Sequence, residues 1–224
     1  MNDNQIAEYL LAHPEFFERQ AELLASVRLA NPHGGRAVSL HERQMDILRA
    51  KNKQLERHLA QLMHQGQKND GLMFKLGILA KRILAEQKLA AVPQLIEQVL
   101  GETFEVAAAV RIWDVAAPYM QEGFVCIPNH ETSLLANQLA RPYCGNEIKP
   151  DVRQWLTADT ASESFALVAL RNPLGDEANA FGLLVLGAPD AQRFQEGMAT
   201  DFLSYMGVLV SAALSRLLAS SESQ

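Results

Sequence analysis

Up to residue 100 the apolar positions recur at helical spacing, and beyond it short runs of the kind that strands use alternate with helical stretches. Ile6 to Leu29 reads as two short helices. Asp3 or Asn4 caps the first, whose apolar set is Ile6, Tyr9 and Leu10. Pro14 fits the first turn of the second, where its missing N–H costs nothing, and Phe16, Phe17, Leu23, Leu24 and Val27 supply its apolar face. Asn31-Pro32-His33-Gly34-Gly35 is a breaker cluster and is expected to be a loop. Ser39-Leu40-His41-Glu42 then has the form of a capping box, in which Ser39 and Glu42 satisfy each other's backbone amides, so a helix should start there.

No Gly or Pro follows until Gly66. Within that stretch Met45, Leu48, Asn52, Leu55, Leu59 and Leu62 are separated by three, four, three, four and three residues. That is a heptad with Met45, Asn52 and Leu59 at a, and Leu48, Leu55 and Leu62 at d. Leucine at d with one Asn at a favours a parallel two-stranded coil, because paired Asn side chains meet only in one register. A homodimer joined through these six positions is therefore expected. Ile47 and Met63 lie off the seam.

The polar stretch Gly66-Gln67-Lys68-Asn69-Asp70-Gly71 predicts a hinge or short linker. Leu72, Met73, Leu76, Leu79, Ala80, Ile83 and Leu84 mark the next helix. Another opens at Pro93, carries Leu95, Ile96, Val99 and Leu100, and closes at Gly101. Val106–Trp113 and Phe124–Ile127 read as strands, Ser133–Arg141 as a helix and Asp151–Leu156 as one helical turn. Phe165–Arg171 and Ala180–Gly187 are strong strands around the turn Asn172–Asp176, and Thr200 to about Leu218 is a closing helix. This order predicts an α+β fold, an antiparallel sheet flanked by helices. Three regions follow: an N-terminal helical segment, 1–35; a coiled-coil helix, 36–68; and a sheet-containing domain, 69–224.

Charge sharpens the division. Residues 1–35 carry net −3, residues 36–90 net +6, and residues 91–224 net −9. The basic middle lacks the interleaved aromatics of a nucleic-acid platform, and Glu15, Glu18 and Glu22 would face a phosphate backbone if the first two helices were a DNA reader. Both observations argue against nucleic acid. The start has neither a basic n-region nor an apolar h-region, and the run Phe202–Leu214 is shorter than the roughly 18 residues that a span needs. Two cysteines without a CxxC fit a reducing compartment. The expectation is a cytoplasmic protein with no membrane segment.

The stretch Phe181-Gly182-Leu183-Leu184-Val185-Leu186-Gly187, through Phe194 to Phe202-Leu203, resembles a GAF domain, and the likeness covers residues 72–219. The whole chain resembles the uncharacterised bacterial family DUF484, on His13-Pro14-Glu15-Phe16-Phe17, Pro32-His33-Gly34-Gly35 and Val38-Ser39-Leu40-His41-Glu42-Arg43-Gln44. The resemblance implies a GAF-like fold with a small ligand held between one sheet face and the crossover. Alternation puts Val106, Ala108, Val110 and Ile112 on one face of the first strand and Ala107, Ala109, Arg111 and Trp113 on the other. The second set suits a pocket, where Arg111 would pair with an anion and Trp113 or Trp155 would stack on a ring. Phe124 and Cys126 should share a face of the next strand, and Tyr143, Cys144 and Trp155 come from the crossover. Glu122 is the acid expected to pair with Arg111 if no ligand does, and Arg153 and Arg171 are its competitors as anchors.

Catalytic residues are not indicated. Some GAF-like enzymes reduce methionine sulfoxide with pocket cysteines, which makes a reductase the alternative reading. On that reading Cys144, in a loop, is the exposed thiol and Cys126 the buried one, yet no Lys or His adjoins Cys144. The six histidines show no metal-ligand spacing, and neither a GxSxG elbow nor a phosphate loop occurs. The sequence names no cofactor. It reads as a non-catalytic regulatory or adaptor protein that binds a small ligand and reaches a protein partner through its N-terminal helices or coil.

Overall fold

A computed structural model describes residues 2–26, 28–30, 37–156, 162–173, 179–195 and 200–219, with the side chains of 24–42 outside that description. The chain divides into two units, residues 1–68 and 69–224. In the first, three helices stand where two were expected: α1 (Asp3–Ala12), α2 (Glu15–Arg19) and α3 (Ala21–Ser26). Gln20, at φ −117° and ψ 43°, breaks the stretch that periodicity alone runs together. The Tyr9 ring stacks on His13 at 4.5 Å and meets Phe16 edge-on at 6.4 Å, so an aromatic cluster forms the α1–α2 corner. Strands β1 (Arg28–Ala30) and β2 (Ala37–Ser39) pair antiparallel around residues 31–36. The predicted loop at 31–35 and Val27 lie outside the described residues. Helix α4 begins at Leu40, where the capping box puts it.

The predicted hinge is helical, and the boundary between the two units, at 68/69, falls within it. Helix α4 runs unbroken from Leu40 to Ala85, through Gly66 and Gly71. Glycine costs a helix interior about 1 kcal/mol relative to Ala, and propagation through the Leu, Gln, Lys and Met around each glycine outweighs that local cost.

In the second unit the end of α4 and helix α5 (Val92–Phe104) cover one face of a sheet. Gly101 does not close α5. The helix runs to Phe104 and stops where Glu105 takes a left-handed conformation, φ 56°, donating its N–H to the Gly101 carbonyl. The sheet is fully antiparallel, in the order β3-β6-β5-β4, with β3 Ala107–Ile112, β4 Tyr143–Gly145, β5 Ser164–Arg171 and β6 Ala180–Ala188. The predicted turn between β5 and β6 falls largely on residues 174–178, outside the described residues. Helix α8 (Asp201–Leu214), continued by a 3-10 turn at Ser215–Leu217, packs beside α5.

Two connecting helices hold the other face. α6 (His130–Gln138) starts three residues earlier than its apolar pattern suggests, because the Asn129 carboxamide oxygen accepts from the Thr132 amide at 2.7 Å. α7 is one turn, Pro150–Arg153. Burial follows this layering. The larger cluster lies between the sheet and α4, α5 and α8 and includes Leu79, Ile96, Leu100, Val110, Leu184, Met206 and Leu214. A smaller cluster lies under α6 and α7, around Ala109, Trp113, Ala136, Val152, Leu167, Leu183 and Val185. Among the described residues no helix is long and apolar enough to cross a membrane.

Candidate functional site

Strand β3 alternates as its sequence requires. Val106, Val110 and Ile112 are buried in the larger cluster, whereas Ala109 and Trp113 belong to the smaller one. The Trp113 indole is only 6% exposed and donates its Nε1–H to the Ala180 carbonyl at 2.8 Å, so its one polar atom is satisfied inside the core. Cys126, Tyr143 and Trp155 pack against the same cluster, half-buried. Four of the seven candidate ligand residues therefore meet on one side of the sheet. They meet as packing partners.

Two others do not join them. Phe124–Ile127 is not a strand: it makes a single parallel bridge, Val125 beside Ile112. The Phe124 carbonyl accepts from the Ile112 amide at 3.1 Å and the Cys126 amide donates to the Ile112 carbonyl at 3.0 Å. Without strand geometry the alternation fails, so Phe124 lies in the larger cluster and Cys126 against the smaller one. Cys144 is the other correction. It sits in β4, opposite Ala166, buried on the α5–α8 side rather than exposed in a loop. Tyr143-Cys144-Gly145 was too short a run to signal a strand.

Burial raises both thiols above the ordinary range. For Cys126 desolvation is the larger cause and the nearby Arg111 guanidinium partly offsets it; for Cys144 desolvation acts alone. The two sulfurs also face opposite sides of the sheet.

Arg111 stands at the edge of the sheet. Its Nη1 donates to Glu97 Oε1 at 3.3 Å and to the Val110 carbonyl at 2.7 Å. The same Glu97 oxygen accepts the Val110 amide at 2.7 Å. Glu97, on α5, is thus the acid that holds Arg111, where Glu122 had been expected; Glu122 is exposed on the turn after β3. The carboxylate also closes one open donor of an edge strand. Sequence spacing carries no signal for this contact, which joins two elements 14 residues apart.

The other two arginines are structural as well. Arg171 Nη2 donates to the carbonyls of Ala136, Asn137 and Leu139, at 3.2, 3.0 and 3.2 Å, and so caps the end of α6. Arg153 lies over the Phe165 ring at 5.0 Å. Tyr143 borders an open cleft of about 450 Å³, lined also by Gly145, Asn146, Glu147, Ala191 and Gln195, and Arg171 borders another of about 270 Å³. The Tyr143 hydroxyl donates to the Glu147 carbonyl at 2.8 Å. Among the described residues no cluster of His, Cys, Asp and Glu is arranged to hold a metal. The six seam positions, Met45, Leu48, Asn52, Leu55, Leu59 and Leu62, are all solvent-exposed on α4.

The chain is similar to known proteins over most of its length. The chain is 26% identical over 231 residues to the uncharacterized protein YigA of Escherichia coli strain K12, covering 96% of this chain and 92% of that one. Among solved structures it is similar to the GAF domain of an Acinetobacter phosphoenolpyruvate-protein phosphotransferase, with 13% identity and a TM-score of 0.42 over 65% of this chain and 93% of the other. It is also similar to fRMsr of Staphylococcus aureus in complex with substrate, with 15% identity and a TM-score of 0.42 over 64% and 95%. The α+β class expected from the sequence, an antiparallel sheet flanked by helices, is the class of this fold. Residues 1–219 match the family model described as "Protein of unknown function, DUF484", and the chain belongs to that family.

Proposed function

We propose that this protein is a non-catalytic cytoplasmic regulatory adaptor: a homodimer joined through residues 45–62, whose GAF-like domain takes a small-molecule input. One observation carries the reading. The heptad lies on an unbroken helix with every seam position open to solvent, Leu48, Leu55 and Leu59 at 58%, 64% and 59% exposure. A single chain gains nothing from six such positions in register, whereas a second copy buries them all. The exposed Ile6, Tyr9, Leu11 and Phe17 of the N-terminal helices supply the surface for a protein partner. The cleft beside Tyr143 is an open site that a small ligand could enter.

The cysteine arrangement supports the absence of reductase chemistry. Burial holds both thiols in their less reactive form, and the Arg111 guanidinium beside Cys126 offsets this only in part. The test combines stoichiometry and ligand. Native mass spectrometry of freshly purified protein should give a dimer, and Leu48→Glu with Leu55→Glu should give a folded monomer. A wild-type monomer at micromolar concentration refutes the dimer. Methionine sulfoxide turnover that is lost in Cys144→Ser refutes the non-catalytic reading.

A further inference from the structure

Strand β4 is short, and that leaves an opening at the edge of the sheet. It reaches β5 only at Phe165–Leu167, so the edge of β5 beyond Leu167 is not covered by that strand. A cleft of about 270 Å³ lies there, lined by the segment that joins α6 to β4, by the end of β5 and by one face of α8. Gly207 brings α8 down onto β5, since an added Cβ would lie 2.6 Å from Val168 Cγ1. Ser204, Val208 and Ser211, spaced four and three residues apart, share that face of the helix. The cleft and the one beside Tyr143 have no lining residue in common. At ~30 Å³ per water, about 270 Å³ suits a ligand of on the order of eight non-hydrogen atoms.

Charge and hydrogen bonding select the chemistry of that ligand. Residues 91–224 carry sixteen acidic side chains against seven basic. Two of the seven, Arg141 and Arg171, border this cleft, and among the described residues no Asp or Glu does. Arg171 Nη2 is committed to the carbonyls at the end of α6, so it lends charge to the wall. Arg141 is exposed, and its guanidinium has no ion-pair or hydrogen-bond partner among the described residues. Ser211 supplies an independent sign. It is only 5% exposed, and its Oγ accepts the Arg171 amide at 3.1 Å. That is its one hydrogen bond among the described residues, so a buried hydroxyl proton is left without an acceptor. An acceptor oxygen in the cleft would relieve that cost. The remaining wall is largely apolar, with Leu139, Pro142, Val168 and Val208.

We infer that this cleft binds a small monocarboxylate with a compact apolar body. Its carboxylate pairs with Arg141 and accepts a hydrogen bond from the Ser211 hydroxyl, and its body lies against the apolar wall. A phosphate would bring more charged oxygens than these two donors serve, against walls that offer it nothing. The site adjoins Leu139, whose carbonyl Arg171 holds at 3.2 Å, so occupancy stiffens the connection from α6 to β4.

The experiment titrates sodium isovalerate, sodium benzoate and the neutral isovaleramide into the ¹⁵N-labelled full chain, followed by amide shifts and calorimetry. At least one of the two carboxylates should bind with a Kd below about 10 mM, and isovaleramide at least about tenfold more weakly than isovalerate. Shifts should centre on Ala140, Gly207 and Val208 and leave Asn146 and Gln195 unmoved. Arg141→Gln alters an exposed side chain, so it should raise the carboxylate Kd at least about tenfold while leaving the unliganded Tm unchanged. Ser211→Ala should weaken binding as well, and it also lowers the Tm because the Arg171 amide loses its acceptor. Failure of both carboxylates to bind by about 10 mM overturns the inference. So does equal binding of the amide, or a Kd that Arg141→Gln does not move. Shifts confined to Asn146 and Gln195 overturn it too, and give the ligand to the cleft beside Tyr143.

Discussion

Removing the Glu97 carboxylate should cost more than removing the Arg111 guanidinium, although the two are partners in one ion pair. Glu97 Oε1 serves two donors, the Val110 amide at 2.7 Å and Arg111 Nη1 at 3.3 Å. Val110 is fully buried, and its amide points off the open edge of β3 to the Glu97 carboxylate. Glu97→Ala leaves that amide unsatisfied, at about 1–3 kcal/mol. It also breaks a pair whose side chains are 19% and 30% exposed, worth about 1 kcal/mol more. The sum, about 2–4 kcal/mol, corresponds to a fall in Tm of roughly 5–15 °C for a domain of this size. Arg111→Ala keeps the Val110 bond and loses only the ion pair, about 1 kcal/mol. Glu97→Gln keeps an acceptor oxygen and should resemble Arg111→Ala. Differential scanning calorimetry and urea unfolding of the three variants measure the order directly. Arg111→Ala proving as costly as Glu97→Ala would refute the edge-cap account. A small anion that stabilises the wild type but not Arg111→Ala would return Arg111 to the role of ligand anchor.

Asn52→Ile should raise the thermal stability of the dimer and admit trimers, measured by light scattering across a melt; a strictly dimeric and less stable variant would place Asn52 outside the seam. Gly71→Ala has open space around the new Cβ and should stabilise α4 by up to about 1 kcal/mol. Gly182→Ala should instead destabilise by about 1–3 kcal/mol in urea unfolding, since its Cβ would lie 2.7 Å from Ile112 Cγ2 and 2.8 Å from the Arg111 carbonyl oxygen, in the middle of the sheet. Iodoacetamide should label both cysteines more slowly than a free thiol at neutral pH, Cys126 before Cys144. Because burial raises both thiols, the rates should go on climbing with pH beyond the ordinary thiol midpoint, and a plateau below it would contradict the packing.

Elements whose pattern is local were legible in the sequence. The stripe of α8, the paired strands β5 and β6 and the start of α4 at the capping box all follow from spacing within one segment. The face assignment of β3 followed too, because strand alternation is a property of the backbone. What escaped depended on partners distant in sequence. Tyr143–Gly145 is a strand only because β5 offers an edge to it, and Phe124–Ile127 fails to be one because the neighbouring edge is shared with Glu97. The glycines at 66 and 71 looked like a hinge, since a local rule weighs each glycine by itself and cooperative helix propagation does not. For the candidate site, Trp113, Cys126, Tyr143 and Trp155 pack on one side of the sheet, while Phe124 and Cys144, which the sequence grouped with them, lie in the cluster on the other. The environment of the first four, a packed cluster rather than an open pocket, was fixed by the connection carrying α6 and α7, whose apolar pattern is weak.

The two sides of the sheet are unequal, and that inequality bears on where a small molecule could act. Among the described residues the α4–α5–α8 side holds 28 buried apolar residues in one cluster, against eight under α6 and α7. Opening the larger side would expose the greater apolar area and is correspondingly expensive. The smaller side is fastened at a few polar points: Asn129 to Asp151 at 2.9 Å, the Ala180 amide to Asn137 at 2.8 Å, Lys149 to Glu131 at 2.7 Å, and Arg171 to the end of α6. Lys149 and Glu131 are exposed and contribute little, so α6 depends chiefly on its two ties to the β5 and β6 ends. A ligand that competed for those ties, or wedged between α6 and the sheet beside Trp113, would displace the fewest apolar contacts. Input on that side leaves the helix layer intact, and the helix layer is what α4 shares with the proposed dimer.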